Sequence, residues 1–175
     1  DDLRASEVIK RLRTLLARHE VERRRFSLNQ AVEDVAAILR AEARRRDATV
    51  DYTMDARRAD VMGDPVQIQQ VIINLATNAI DAMADPGLPK RCLTIATGAS
   101  APGQVDVEVR DTGTGVDEVM RTEIFKQFVT TKSRGMGLGL SISKGILDAH
   151  EGRIALESTG PTGTLFRFSL AAQGT

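Results

Sequence analysis

Three groups of residues have the types and spacing to do chemistry. Asn74 and Asn78 lie four residues apart within residues 69–83, QQVIINLATNAIDAM, which puts them one turn apart on one stripe of a helix. An amide oxygen is a hard, neutral donor of the kind Mg²⁺ accepts beside phosphate oxygens, because that ion keeps several waters and seldom takes an all-protein cage. Taken alone, the pair fits a hydrogen-bonded structural asparagine equally well. Asp111 ends a strand-like run and precedes Gly113 and Gly115. A carboxylate there, with glycines that let backbone come close, suits the exocyclic amine of adenine. Gly135, Gly137 and Gly139, in GMGLGL, open a helix whose N–H groups and positive dipole end suit phosphates. A lone run of this kind is a tight turn as often as a ligand site. The order is what weighs here: helix amide, strand-end carboxylate, a patternless segment, then a glycine-rich helix start.

The elements that must position these groups follow from periodicity. Val71, Ile72, Leu75, Ala79, Ala82 and Met83 recur at helical spacing, and Gly63-Asp64-Pro65 supplies a stop, a cap and a first-turn proline. An earlier helix starts at Ser27 with Phe26 packing ahead of it. It runs through Val32, Val35, Ile38, Leu39 and Ala43 to the arginines at 44–46. Residues 49–54 read as a short edge strand, and 93–97 with 105–110 as a hairpin. Residues 116–134 hold little pattern beyond a helical turn around 123–128. A helix follows Gly139 with Leu140, Ile142, Ile146 and Leu147 inward, ending near His150-Glu151-Gly152. Strands at 153–157 and 164–170 flank a Gly-Pro-Thr-Gly turn. Residues 3–19 form a helix with a near-heptad seam of Leu3, Val8, Ile9, Leu12, Leu15 and Leu16. A lone helix of that length is marginal in water, so it calls for a partner, either a dimeric bundle or the chain's own domain.

Composition narrows the function classes. Among 175 residues, 42% are hydrophobic and 27% charged, which marks a globular chain. Aromatics are 3% with no Trp, too few for base-stacking platforms. Lys plus Arg (24) balance Asp plus Glu (24), so no global basic field invites nucleic acid or an anionic membrane. The balance is uneven: residues 1–46 hold 12 basic against 8 acidic, and the remainder 12 against 16. One cysteine, Cys92, excludes an internal disulfide framework and suits a reducing, cytoplasmic compartment. No apolar run reaches the roughly 18 residues that would span a bilayer.

The ordered set resembles the ATP-binding (Bergerat-fold) domain of the GHKL superfamily, and within it the sensor histidine kinases of two-component systems. QQVIINLATNAIDAM resembles the asparagine box, DTGTG the first glycine box, EIFKQFVTTKS the phenylalanine box and GMGLGLS the second glycine box. The wording FVTTK, GMGLGLSISK and AH is most similar to the oxygen-sensing and nitrogen-regulatory branch. The resemblance implies an α+β fold: a two-layer α/β sandwich whose mixed, mainly antiparallel sheet carries about three helices on one face. Residues 1–20 would be the end of the second helix of a dimerisation and phosphoacceptor hairpin, 21–27 a linker, and 28–175 the catalytic ATP-binding domain.

It also implies roles. Asn78 would hold Mg²⁺, and Asn74 would support the phosphate side. Asp111 would take the adenine amine, with Gly113 and Gly115 keeping the pocket open. Gly135, Gly137 and Gly139 would cradle the triphosphate, while Asp81, Thr131, Met136, Leu138 and Leu140 would complete the ATP site. Lys132 and Arg134 would offset charge on the transferring phosphate; for Lys132 a solvated loop charge is the alternative. Phe125 and Phe128 fit either plain core packing or anchors of a lid at 112–135. Relatives that hydrolyse ATP or phosphorylate serine have a glutamate four residues before the magnesium asparagine. Here that residue is Asn74, which cannot act as a base. A neutral imidazole needs none, so the expected reaction is transfer to a histidine and onward to a response-regulator aspartate. The acceptor is missing from this chain: His19-Glu20 sits where the second helix gives way to linker, and His150 reads as structural. The alternatives are a nucleotide-binding or dimerisation module without catalysis and a stand-alone ATPase.

Overall fold

The computed structural model describes residues 21–57, 59–126 and 139–174. The expected helix at 3–19, His19, and the expected site residues Phe128, Thr131, Lys132, Arg134, Gly135, Met136, Gly137 and Leu138 lie outside the described residues.

The chain runs β1 (Arg24–Ser27), α1 (Leu28–Arg45), β2 (Thr49–Met54), β3 (Asp60–Gly63), α2 (Pro65–Ala82), β4 (Cys92–Gly98) and β5 (Gln104–Asp111). After a 3₁₀ turn at Glu118–Met120 come α3 (Gly139–Ala149), β6 (Arg153–Gly160) and β7 (Gly163–Ala171). Five strands form one sheet in the order β2-β4-β5-β7-β6, with β2 parallel to β4 and every other pair antiparallel. β1 and β3 make a separate antiparallel ribbon. The three helices pack on one face of the sheet, giving the expected two-layer sandwich.

Helix boundaries follow the capping chemistry. Ser27 Oγ accepts from Gln30 N–H at 3.3 Å, and Asp64 Oδ1 accepts from Val66 and Gln67 N–H at 2.9 and 3.3 Å, each cap contributing about 1 kcal/mol. α1 buries one stripe, Leu28, Val32, Val35 and Leu39, whereas α2 is buried nearly all round, as a helix between a sheet and two other helices must be. On the inner face of the sheet Val105 lies opposite Leu170, Val107 opposite Phe168 and Val109 opposite Phe166. On the outer face Glu108 lies opposite Arg167 and accepts its guanidinium, which raises the Arg167 pKa.

Three expectations need correction. Residues 24–27, read as linker, form β1, and its partner β3 was not foreseen; four residues without alternation carry no strand signal, and only their non-local pairing orders them. Ile142, expected inward, is 40% exposed, while Ser143 is fully buried. Ser143, Ile146 and Leu147 share the inward stripe of α3, and Ile142 sits about 100° off it. The helical turn expected near 123 begins earlier, at Glu118–Met120, and continues as turns to Lys126, whose N–H donates to Glu123 O at 3.0 Å.

Candidate functional site

One stripe of α2 borders Asp111, Gly113 and Gly139 and itself carries Asn74 and Asn78. Asn74, Asn78 and Ala82 recur every four residues, so they lie along about 12 Å of the helix axis. Beside Asn74 stands the start of α3; beside Ala82 stands the segment that leaves β5.

At the β5 end, Asp111 is 4% exposed. Burial pushes its carboxyl from the ordinary 3.8 up to about 6, against the pull of the Gly113 and Thr164 backbone hydrogen bonds. Gly113 N–H donates to Asp111 Oδ1 at 2.8 Å. A Cβ on Gly113 would lie 2.5 Å from the Ala82 carbonyl oxygen, so only glycine lets the loop close on the end of α2. A Cβ on Gly163 would lie 2.0 Å from Asp111 O, and Gly163 has φ +143, so the β6–β7 turn also needs glycine to approach. Gly115, with φ +86, faces the Gly160 carbonyl rather than α2, and Val116 N–H donates to Thr159 Oγ1 at 2.7 Å, which fastens the loop to the rim of the sheet.

At the α3 end, Asn74 is 2% exposed. Its Nδ2 donates to Gly139 O and Ser143 Oγ, both at 3.3 Å, and Ser143 Oγ donates to Gly139 O at 2.9 Å. A carbonyl can only accept, so the amide nitrogen must face Gly139. Asn74 Oδ1 is then left with no partner among the described residues. An orphaned buried acceptor costs about 1–3 kcal/mol, and such atoms in native folds call for an explanation. Asn78 Nδ2 lies 3.9 Å from where a Cβ on Gly139 would be, so both amides border the first turn of α3. Among the described residues no three His, Cys, Asp or Glu side chains converge. A cation here would take most of its ligands from phosphate and water, with an amide oxygen added, which suits Mg²⁺.

Residues 63–174 match the family described as histidine kinase-, DNA gyrase B-, and HSP90-like ATPase, a match that spans more than half the chain. The chain belongs to this ATPase family. Within it, the chain is 42% identical over 170 residues to sensor protein FixL of Bradyrhizobium diazoefficiens, covering 97% of this chain and 33% of FixL. The chain thus spans about a third of that relative's length. The catalytic domain of histidine kinase ThkA superposes with a TM-score of 0.72 at 30% identity, covering 86% of this chain and 96% of that domain. ThkA in complex with the response regulator protein TrrA gives a TM-score of 0.73 at 26% identity, over 98% of this chain and 48% of ThkA. Fold and sequence together make this a histidine-kinase-type catalytic ATPase domain, and the nucleotide such a family uses is ATP.

The expected site residues distribute unevenly. Asp111 and Gly113 meet the end of α2, and Asn74, Asn78 and Gly139 meet at its middle. Asp81 is turned to Arg46, Oδ1 to Nη1 at 3.1 Å, and Leu140 is half-buried against the core. Phe125 meets Phe166 edge-on with ring centroids 6.2 Å apart, next to the buried Ile124, so it anchors its segment to the sheet by core packing. Sequence reasoning missed Ser143 and Gly163. A serine on the inward stripe of an otherwise apolar helix was the available signal for the first; nothing local marks the second.

Proposed function

We propose that the chain binds Mg·ATP and donates the γ-phosphate to a histidine on a separate helical hairpin, which passes it to a response-regulator aspartate. The observation that carries this reading is the neutral amide at position 74. α2 offers a single carboxylate, Asp81, and Arg46 holds it. Water or serine would need a base there, whereas a neutral imidazole attacks unaided. Asp111 would accept from the adenine amine, Asn78 would hold Mg²⁺, and the unpaired Oδ1 of Asn74 would face the same cation or its waters. When bound, Mg²⁺ would offset charge on the phosphates. Residues 1–20 would be the end of the second helix of the hairpin that would pair two copies. The capture of the relative ThkA with a response regulator supports that class of partner. Among the described residues no helix is long and apolar enough to cross a membrane, and the unpaired Cys92 suits a cytoplasmic setting.

The deciding experiment incubates the chain with Mg²⁺ and γ-labelled ATP, with and without an added acceptor hairpin. Acid-labile label on the hairpin with little free phosphate is the expected result. Sustained phosphate release by the chain alone would establish a stand-alone ATPase and sink the argument from Asn74. Asn78→Ala is expected to remove the Mg²⁺-dependent part of nucleotide affinity while leaving the fold intact; unchanged affinity would reject it as the metal ligand.

A further inference from the structure

At the start of α2 and the end of α3, three elements meet at one polar joint. Asp64, fully buried, caps α2 through Oδ1 and with Oδ2 accepts from Glu22 N–H at 2.9 Å. The Asp64 N–H donates to His150 Nε2 at 3.0 Å. A backbone N–H can only donate, so Nε2 carries no proton. Nδ1 must therefore hold it and donate to Ile146 O at 2.7 Å, in the last turn of α3. Arg23 Nη2 donates to Ala149 O at the end of the same helix. The joint is tight: a Cβ on Gly63 would lie 2.4 Å from the imidazole Cδ2. The two residues ahead of β1 are thus fastened to the start of α2 and to the end of α3.

Those two helices carry the amides and the phosphate-facing first turn. α2 presents Asn74 and Asn78, and α3 opens at Gly139, which Asn74 contacts. Both are rigid rods, so a displacement at the joint reaches the Asn74–Gly139 contact as a change in the angle between them. We propose that His150 is a positioning residue that sets this angle, and that Glu22 and Arg23 bear on the same joint, so that a displacement of these two residues changes nucleotide affinity. The inference rests on the reading of α2 and α3 as the phosphate end of the ATP site.

The test uses the whole chain, with two readouts: affinity for a fluorescent ATP analogue with Mg²⁺, and the backbone amide resonances of residues 139–143 without nucleotide. Arg23 is exposed, so Arg23→Ala should fold normally. It is expected to weaken affinity about fivefold and to shift those resonances, with Arg23→Lys restoring both. His150→Phe should weaken affinity roughly tenfold, and His150→Gln, which keeps one acceptor and one donor, should recover most of it. Gly63→Ala, which pushes the ring aside, should match His150→Phe. Wild-type affinity and unmoved resonances in Arg23→Ala would overturn the coupling even if the His150 variants do not fold. Failure of the wild-type chain to bind the analogue at all would instead overturn the reading of the ATP site itself, and the coupling with it.

Discussion

The two ends of the α2 stripe are built on opposite principles. The Asp111 end is finished: the carboxyl accepts from two backbone N–H groups, and glycines bring loop backbone against α2 and against β5. It rests on a five-stranded sheet. The Asn74 end is unfinished among the described residues, since a buried oxygen there lacks a partner. Preorganisation at one end and an unmet hydrogen bond at the other fit the proposed division of labour, in which the sheet would select the base and the ligand's phosphates would complete the helical end.

Asp111→Asn is the largest expected break in that contrast. Losing the anionic acceptor should cut nucleotide affinity about a hundredfold. It should also stabilise the empty protein. A carboxyl raised from 3.8 to about 6 by burial binds its proton more tightly in the fold than in the unfolded chain. Its contribution is therefore full below about pH 4 and lost as pH rises through about 6, above which the fold carries a disfavoured charge. The variant should gain on the order of 1–2 kcal/mol at pH 8 and nothing at pH 4, read as melting temperature at the two values. An equal change at both would place the cause outside ionisation.

Gly113→Ala should break the same end sterically. Its Cβ meets backbone rather than a flexible side chain, so a loss of about 1–3 kcal/mol in denaturant unfolding is expected. Asn74→Leu probes the other end. The variant removes two donated hydrogen bonds but also the orphaned oxygen, so melting should change little while Mg²⁺-dependent nucleotide affinity falls roughly tenfold. A large drop in melting with affinity intact would make Asn74 purely structural. The smallest effect belongs to Ile142→Ser, expected within about 0.5 kcal/mol because that side chain faces outward, whereas Ser143→Ala should weaken the Asn74 contact.

Most of this architecture was legible because periodicity and capping are local. Asp64-Pro65 fixed the start of α2, and the alternation of Val105, Val107 and Val109 fixed β5. β1 and β3 were not, because four residues paired at a distance leave no period to read. Asn74, Asn78 and Asp111 stood out through their order along the chain, and the fold brings all three to α2 or its end. That Asn74 spends its nitrogen on Gly139 and Ser143 was not legible, since it depends on how two helices cross. His150 was taken as structural, and its partner, the Asp64 N–H, lies on an element remote in sequence.

The sheet order also governs how the molecule can assemble. β7, last of the strands, lies between β5 and β6, so neither finds that neighbour until residues 163–171 are in place. The β4–β5 hairpin closes over a short turn and forms early, but one edge of β5, with its row of open backbone groups, stays uncovered in every shorter chain. A ribosome-bound or truncated chain that stops before β7 therefore exposes a strand edge competent to pair with another copy. For this fold the late stage of synthesis is the window in which aggregation competes with folding.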